Sequence, residues 1–224
     1  MERNTVTVKS IAFINHDVLE IHTQKPAYYS FSPGQATELS INKEGWEYER
    51  RPFTFTNLPS DADLQFTIKV YPDHDGVTEQ LATLKKGDKL LIGEVFGAIQ
   101  YKGKGIFLAG GAGVTPFISI FKSLERENKL LGNSLIFANK TKKNIFLEDT
   151  FEQYLGRKYV NILSEEHTDE YPNGRIDKAF LNEIITDRSQ FFYVCGPPEM
   201  TEAVTSDLKD LGVTEDKLVI EDYG

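Results

Sequence analysis

One cysteine stands in 224 residues, which excludes an internal disulfide framework and any cluster held by four cysteines of this chain. Cations are also scarce. Lys and Arg number 25 against 34 Asp and Glu, and the net charge of −9 argues against general nucleic-acid binding. No uninterrupted apolar run approaches the ~18–20 residues needed to span a bilayer. The opening Met1-Glu2-Arg3-Asn4-Thr5 lacks the apolar core of a secretory signal, so a cytoplasmic location is expected. Repeats, low-complexity segments and long linkers are missing too. What is present is globular material: 40% hydrophobic and 26% charged residues permit a packed core. The length exceeds one typical domain of roughly 100–150 residues and predicts two.

Two rhythms divide the chain near residue 103. Before it, short alternating or β-branched stretches are separated by turns: Thr5-Val6-Thr7-Val8, residues 18–22, residues 37–41, residues 64–71 and residues 89–92. Ser32-Pro33-Gly34-Gln35 and Lys86-Gly87-Asp88 supply turn chemistry between them. This spacing predicts an antiparallel barrel or sandwich. After it, strand and helix alternate. Strands are expected at 106–109, 134–138, 159–163 and 190–195, with helices at 116–129, 147–154, 177–185 and 199–211. That alternation predicts a parallel α/β sheet covered by helices.

Three motifs carry candidate chemistry. Gly110-Gly111-Ala112-Gly113-Val114-Thr115-Pro116 lies between a strand and a helix. Glycines let a backbone turn tightly against a pyrophosphate, whose charge a helix N-terminus favours, and Pro116 suits a first helical turn. Glycine-rich turns also serve structurally in many αβ folds, so the setting rather than the glycines favours nucleotide binding. Tyr193-Val194-Cys195-Gly196-Pro197-Pro198-Glu199-Met200 sits at another strand end, where open sheets place ligands. By itself Cys195 reads equally as a buried apolar filler. Arg51-Pro52-Phe53-Thr54 offers a phosphate partner, an aromatic cover and a hydroxyl, or simply an amphipathic strand with a surface arginine.

Taken in order, Pro33-Gly34-Gln35, Arg51-Pro52-Phe53-Thr54, the glycine-rich turn ending in Thr115-Pro116, and Cys195-Gly196-Pro197-Pro198 resemble the ferredoxin–NADP reductase superfamily, close to its compact flavodoxin-reductase-like members. The resemblance spans essentially the whole chain. It implies an N-terminal antiparallel β-barrel that binds FAD, residues 1–103, and a C-terminal α/β parallel-sheet domain that binds NAD(P), residues 104–224. Arg51 would hold the flavin pyrophosphate, Phe53 would lie against the isoalloxazine and Thr54 would place its hydroxyl near flavin nitrogen five. Lys69, Val70 and Tyr71 would line the ring or ribityl chain, and Gly76, Val77 and Thr78 would cradle phosphate. Gly111, Gly113, Val114, Thr115 and Pro116 would face the nicotinamide nucleotide. Cys195 would sit near its reacting ring, with Gly196, Pro197, Glu199 and Met200 as walls. Tyr223 would stack over the flavin and Glu221 would help polarise the reaction site; a terminal tail also frays readily.

One departure bears on the coenzyme. Where NADP-using relatives place serine-arginine, this chain has Ser164-Glu165-Glu166. Carboxylates repel a 2′-phosphate and accept from a 2′-hydroxyl, which favours NADH over NADPH. The basic Lys140-Thr141-Lys142-Lys143 is the counterweight. The expected activity is a flavin-dependent NAD(P)H oxidoreductase that passes single electrons to a separate acceptor: a flavodoxin, a ferredoxin, an oxygenase component or a small oxidant. The rival is a non-catalytic electron-transfer or regulatory subunit of a larger redox complex.

Overall fold

The computed structural model describes residues 3–71, 75–97 and 99–221. Strands β1 (Asn4–Phe13), β2 (Val18–Gln24), β3 (Ala36–Ile41), β4 (Arg51–Thr54), β5 (Asp63–Lys69) and β6 (Lys89–Phe96) form one antiparallel sheet in the order β4-β3-β6-β1-β2-β5. Apolar residues at alternate positions point inward, so Val6, Val8, Leu19, Ile21, Leu64, Phe66, Leu90 and Ile92 share one core. Antiparallel pairing of Phe55 with Phe66 brings the two sheet edges together and nearly closes a barrel. Helix α1 (Val77–Ala82) was not legible in the sequence. Its Val77 and Leu81, one turn apart, plug the barrel core.

The second sheet is parallel throughout. Strands β7 (Gly105–Gly110), β8 (Ser134–Asn139), β9 (Tyr159–Leu163), β10 (Phe191–Cys195) and β11 (Leu218–Ile220) lie in the order β11-β10-β7-β8-β9. Helices α2 (Thr115–Arg126) and α3 (Glu148–Leu155) pack through Phe117, Phe121 and Phe151 on the face of Phe107 and Phe137. Helices α4 (Lys178–Ile184) and α5 (Pro198–Asp210) cover the other face through Leu181, Val204 and Leu208. Asp177, expected inside α4, instead caps it by accepting from the Phe180 amide at 2.9 Å. Helix α2 stops short of the expected residue 129 because Asn128 turns left-handed at φ 55°. The two-domain expectation of a barrel followed by an α/β sheet is the observed fold.

Candidate cofactor-binding crevice

Chain order reverses between β7 and β10, which are neighbours in register at Ala109 and Cys195. Such a switch point opens a crevice at the carboxyl ends of the strands. The turns after both strands meet there without room for side chains. A Cβ on Gly113 would lie 2.2 Å from the Cys195 carbonyl oxygen, and one on Gly110 would lie 2.3 Å from Met200 Sδ. Gly111 differs: at φ 52° it has no atom of the described residues within 4 Å of a Cβ position, so among them its side of the turn is open. Val114 is buried in the core, the Thr115 hydroxyl donates to the Ala112 carbonyl at 2.9 Å, and Pro116 stands in the first turn of α2. The turn is thus fixed from within and presents Gly111 outward.

Across the crevice, the Cys195 thiol donates to Glu221 Oε2 at 3.8 Å. Burial, and secondarily the Glu221 carboxylate, pushes the thiol pKa far up, so sulfur stays protonated. Glu221, Cys195, Gly196, Thr201, Thr205 and Lys209 border a cavity of ≈ 630 Å³. Pro197 precedes α5 and Met200 lies in its first turn, beneath both Gly110 and Gly196. Tyr223 lies outside the described residues.

On the barrel, among the described residues β4 pairs only with β3 except at the closing bridge, so there its outer edge is open from Arg51 to Thr54. Pro52, which has no amide proton, is tolerated on such an edge. Among the described residues, β4 and β5 share no ladder beyond that bridge, so no backbone pairing ties Arg51 to the end of β5. The Arg51 guanidinium is exposed; it donates to the Arg50 carbonyl at 2.7 Å and lies 3.5 Å from Glu49. Phe53 packs on the barrel core, and Thr54 is half-buried. Beyond β5, Val70 is buried and donates its amide to the Asp17 carbonyl at 2.7 Å. Tyr71 is half-exposed, and its amide donates to Thr78 Oγ1 at 3.3 Å. Gly76 caps α1 while the Val77 side chain fills the core, leaving that residue only its backbone to offer a ligand. Lys69 pairs with Asp17 at 3.2 Å, and Asp17 accepts from Asn144 of the parallel-sheet half at 3.2 Å.

The two loops weighed for coenzyme choice form one surface. Lys140 and Glu165 pair at 3.0 Å, and Glu166 accepts from the Lys142 amide at 2.6 Å. Lys142 Nζ is bonded to Glu170, a contact that raises the ammonium pKa and lowers the carboxyl pKa. The basic cluster is therefore largely neutralised by its acidic neighbour.

Thr54 belongs to the barrel, whereas Cys195 and Glu221 belong to the parallel-sheet half. The connection runs through residues that sequence reasoning missed. Lys122 of α2 donates to the Thr56 carbonyl at 2.7 Å and to Gln65 Oε1 at 3.1 Å. Ser119 accepts from the Gly34 amide at 3.0 Å, and Asn15 donates to the Lys143 carbonyl at 2.8 Å. The available signal was a polar strip, Ser119, Lys122, Ser123 and Arg126, opposite the apolar Phe117, Phe121 and Leu124 of the same helix.

Comparison with known proteins adds two family matches. Residues 3–96 match an FAD-binding domain and residues 107–206 match an oxidoreductase NAD-binding domain. One component of the Na(+)-translocating NADH-quinone reductase of Yersinia pestis is 31% identical over 157 residues, 63% of this chain and 39% of that protein. The corresponding component in Neisseria meningitidis is 30% identical over 158 residues, again 63% of this chain. The chain thus covers 39% of the length of these curated relatives. Among solved structures, a ferredoxin NADP+ reductase from Neisseria gonorrhoeae with bound FAD and NADP superposes with a TM-score of 0.86 at 17% identity, covering 98% of both chains. The FAD/NAD-binding domain of a nitric oxide dioxygenase from Vibrio cholerae gives 0.84 at 22% identity, again covering 98% of both. These likenesses establish the shared fold.

Proposed function

The chain belongs to the ferredoxin–NADP reductase superfamily, and on that premise we propose that it is an FAD-dependent NAD(P)H oxidoreductase serving a separate electron acceptor. The observation that carries the reading is the pairing of an open barrel edge, where the Arg51 guanidinium is exposed, with a switch-point crevice holding Gly111, Cys195 and Glu221. Residues 1–103 are the flavin unit and residues 104–224 the nicotinamide unit.

The residues present fit both groups. Arg51 has an exposed guanidinium for the flavin pyrophosphate, Phe53 and Tyr71 offer apolar faces, and Thr54 offers a hydroxyl. Backbone at Val70, Gly76 and Val77 is assigned to the same flavin site. Gly111 leaves room for phosphate beside the N-terminus of α2. FAD, when bound, accepts a hydride from reduced nicotinamide and releases electrons singly. The protein supplies orientation. The neutral Cys195 thiol, held by Glu221, presents no charge to the nicotinamide ring, while Gly196, Pro197 and Met200 shape the wall behind it. NADH is the favoured coenzyme, and a flavodoxin, a ferredoxin, an oxygenase component or a small oxidant is the acceptor.

Purified chain reconstituted with FAD should be yellow, should bleach on addition of NADH, and should then reduce one member of a carrier panel. Failure to take up FAD overturns the assignment. A second reading, a component of a larger redox complex, draws on relatives that are themselves parts of such a complex and whose length this chain covers only to 39%. It predicts flavin uptake and bleaching with no turnover on any free carrier.

A further inference from the structure

We infer that Lys122 is a positioning residue that sets the distance between the two cofactor segments by bonding helix α2 to the barrel. The inference rests on the reductase reading.

Helix α2 carries the glycine-rich turn at its N-terminus and packs one face on the parallel sheet. Its other face meets the barrel. Lys122 lies seven residues from Thr115, about 10 Å along the axis. Its ammonium reaches the main-chain oxygen of Thr56, two residues and about 7 Å beyond Thr54. One hydrogen bond therefore links the glycine-rich turn to Thr54 through two short, stiff arms. Ser119, one turn earlier, is fully buried and accepts from the amide of Gly34. Gly34, at φ 93°, is pressed so closely that a Cβ would lie 2.1 Å from the Ile99 carbonyl oxygen.

The receiving side is over-determined. Thr56 is fully buried; its amide donates to the Gln65 carbonyl at 2.9 Å and its hydroxyl meets that of Thr67 at 3.0 Å. Gln65 turns its oxygen to Lys122 and its amide nitrogen to Glu20, whose other oxygen lies 2.9 Å from His22 Nε2. The cation thus ends a chain of side chains running ammonium, amide, carboxylate and imidazole. A methionine would fill the same volume without the desolvation cost of a half-buried ammonium. What it lacks is direction. A lysine held by a carbonyl and an amide oxygen fixes the register of α2 against β5, and hydride transfer is sensitive to misplacement of about 1 Å.

The test compares wild type, Lys122→Met, Lys122→Arg and Ser119→Ala, each loaded with FAD. Flavin reduction is followed by stopped flow at saturating NADH and at saturating 4-deuterated NADH across temperature. Hydrogen exchange of the FAD-free chains is followed at residues 54–56 and 115–122. The expected result for Lys122→Met is unchanged FAD affinity and reduction slowed about 10- to 100-fold. Its isotope effect should become more temperature-dependent, and exchange should rise in both segments together. Lys122→Arg should recover part of the rate, and Ser119→Ala should show the same pattern more weakly. A wild-type rate and isotope effect in Lys122→Met overturns the inference. So does a rate loss that tracks FAD loss with the isotope effect unmoved, which marks a merely structural residue. Should Lys122→Met fail to fold, Ser119→Ala decides by the same readouts. Wild type that binds FAD yet is bleached by neither NADH nor NADPH overturns the reductase reading itself, and the inference falls with it.

Discussion

Cys195 ends β10 with its sulfur buried and 3.8 Å from the Glu221 carboxylate. Burial disfavours a thiolate, and the neighbouring negative charge disfavours it further, so the native pKa lies well above the usual thiol value. The sign follows directly. Below about pH 8.5 the thiol is protonated in both folded and unfolded chains, and its contribution to stability is complete. Above that pH only the unfolded thiol ionises, so the contribution is lost as pH rises. The native chain should accordingly resist iodoacetamide between pH 7 and 9, whereas urea-unfolded chain alkylates readily; mass spectrometry of the two samples checks this. Rapid native modification would mean that the thiol is ionised and chemically available. Arg51 is the opposite case, a charge left largely in solvent with the Arg50 carbonyl at 2.7 Å and Glu49 at 3.5 Å beside it. Arg51→Ala should weaken FAD by ~1.5–3 kcal/mol, the range for a hydrogen bond to a charged group. Titration with FAD under native conditions measures it, and unchanged affinity would detach the open β4 edge from flavin binding.

Among the elements, the two crevice turns depend on each other. Cβ growth at Gly113 is blocked by the Cys195 carbonyl oxygen, the Cys195 carbonyl carbon and Gly196 Cα, all backbone atoms that cannot rotate away. Gly113→Ala must separate the β7 and β10 turns. It should cost ~1–3 kcal/mol of stability, as overpacking does, and weaken NADH more than FAD. Thermal melts with paired nucleotide and FAD titrations show this; equal loss of both ligands would mean that the damage is global. This strand-turn-helix was legible because Ile106-Phe107-Leu108-Ala109, the glycines and the spacing of Phe117, Ile120, Phe121 and Leu124 are all local signals. Helix α1 was not, since only Val77 and Leu81 of its six residues bury. The docking face of α2 escaped for another reason. Periodicity shows that Ser119 and Lys122 are polar, but the barrel opposite them is brought there by residues 34, 56 and 65, distant in sequence. The strand β5 carries the same lesson: Gln65 and Thr67 alternate as polar residues should, yet both are buried, Gln65 against Lys122 and Thr67 against Thr56.

At the scale of the molecule, the coenzyme meets two fields. The chain as a whole carries −9, so every added phosphate approaches against the net charge, an effect that added salt screens. Locally, the adenosine end is expected over the loops after β8 and β9, where Lys140 pairs with Glu165 and Lys142 with Glu170. Those pairs turn a basic cluster into a balanced one. A 2′-phosphate would have to break them to engage Lys140 or Lys142, whereas a 2′-hydroxyl can donate to Glu165 or Glu166 without breaking anything. NADH should therefore show the higher kcat/KM. Glu165→Arg removes a repelling carboxylate, frees Lys140 and adds a cation, and should move the NADPH to NADH ratio upward. Because these groups are exposed, the shift should be roughly fivefold, the factor given by ~1 kcal/mol for a surface charge contact, and it should shrink in high salt. Lys142→Ala separates the loops' roles: it removes the partner of Glu170 and should leave the wild-type preference for NADH in place. Measuring the efficiency ratio in all three proteins at low and high ionic strength decides the matter. A wild-type preference for NADPH that collapses in Lys142→Ala would assign the phosphate to the lysine loop and show that Lys142 leaves Glu170 when the coenzyme arrives.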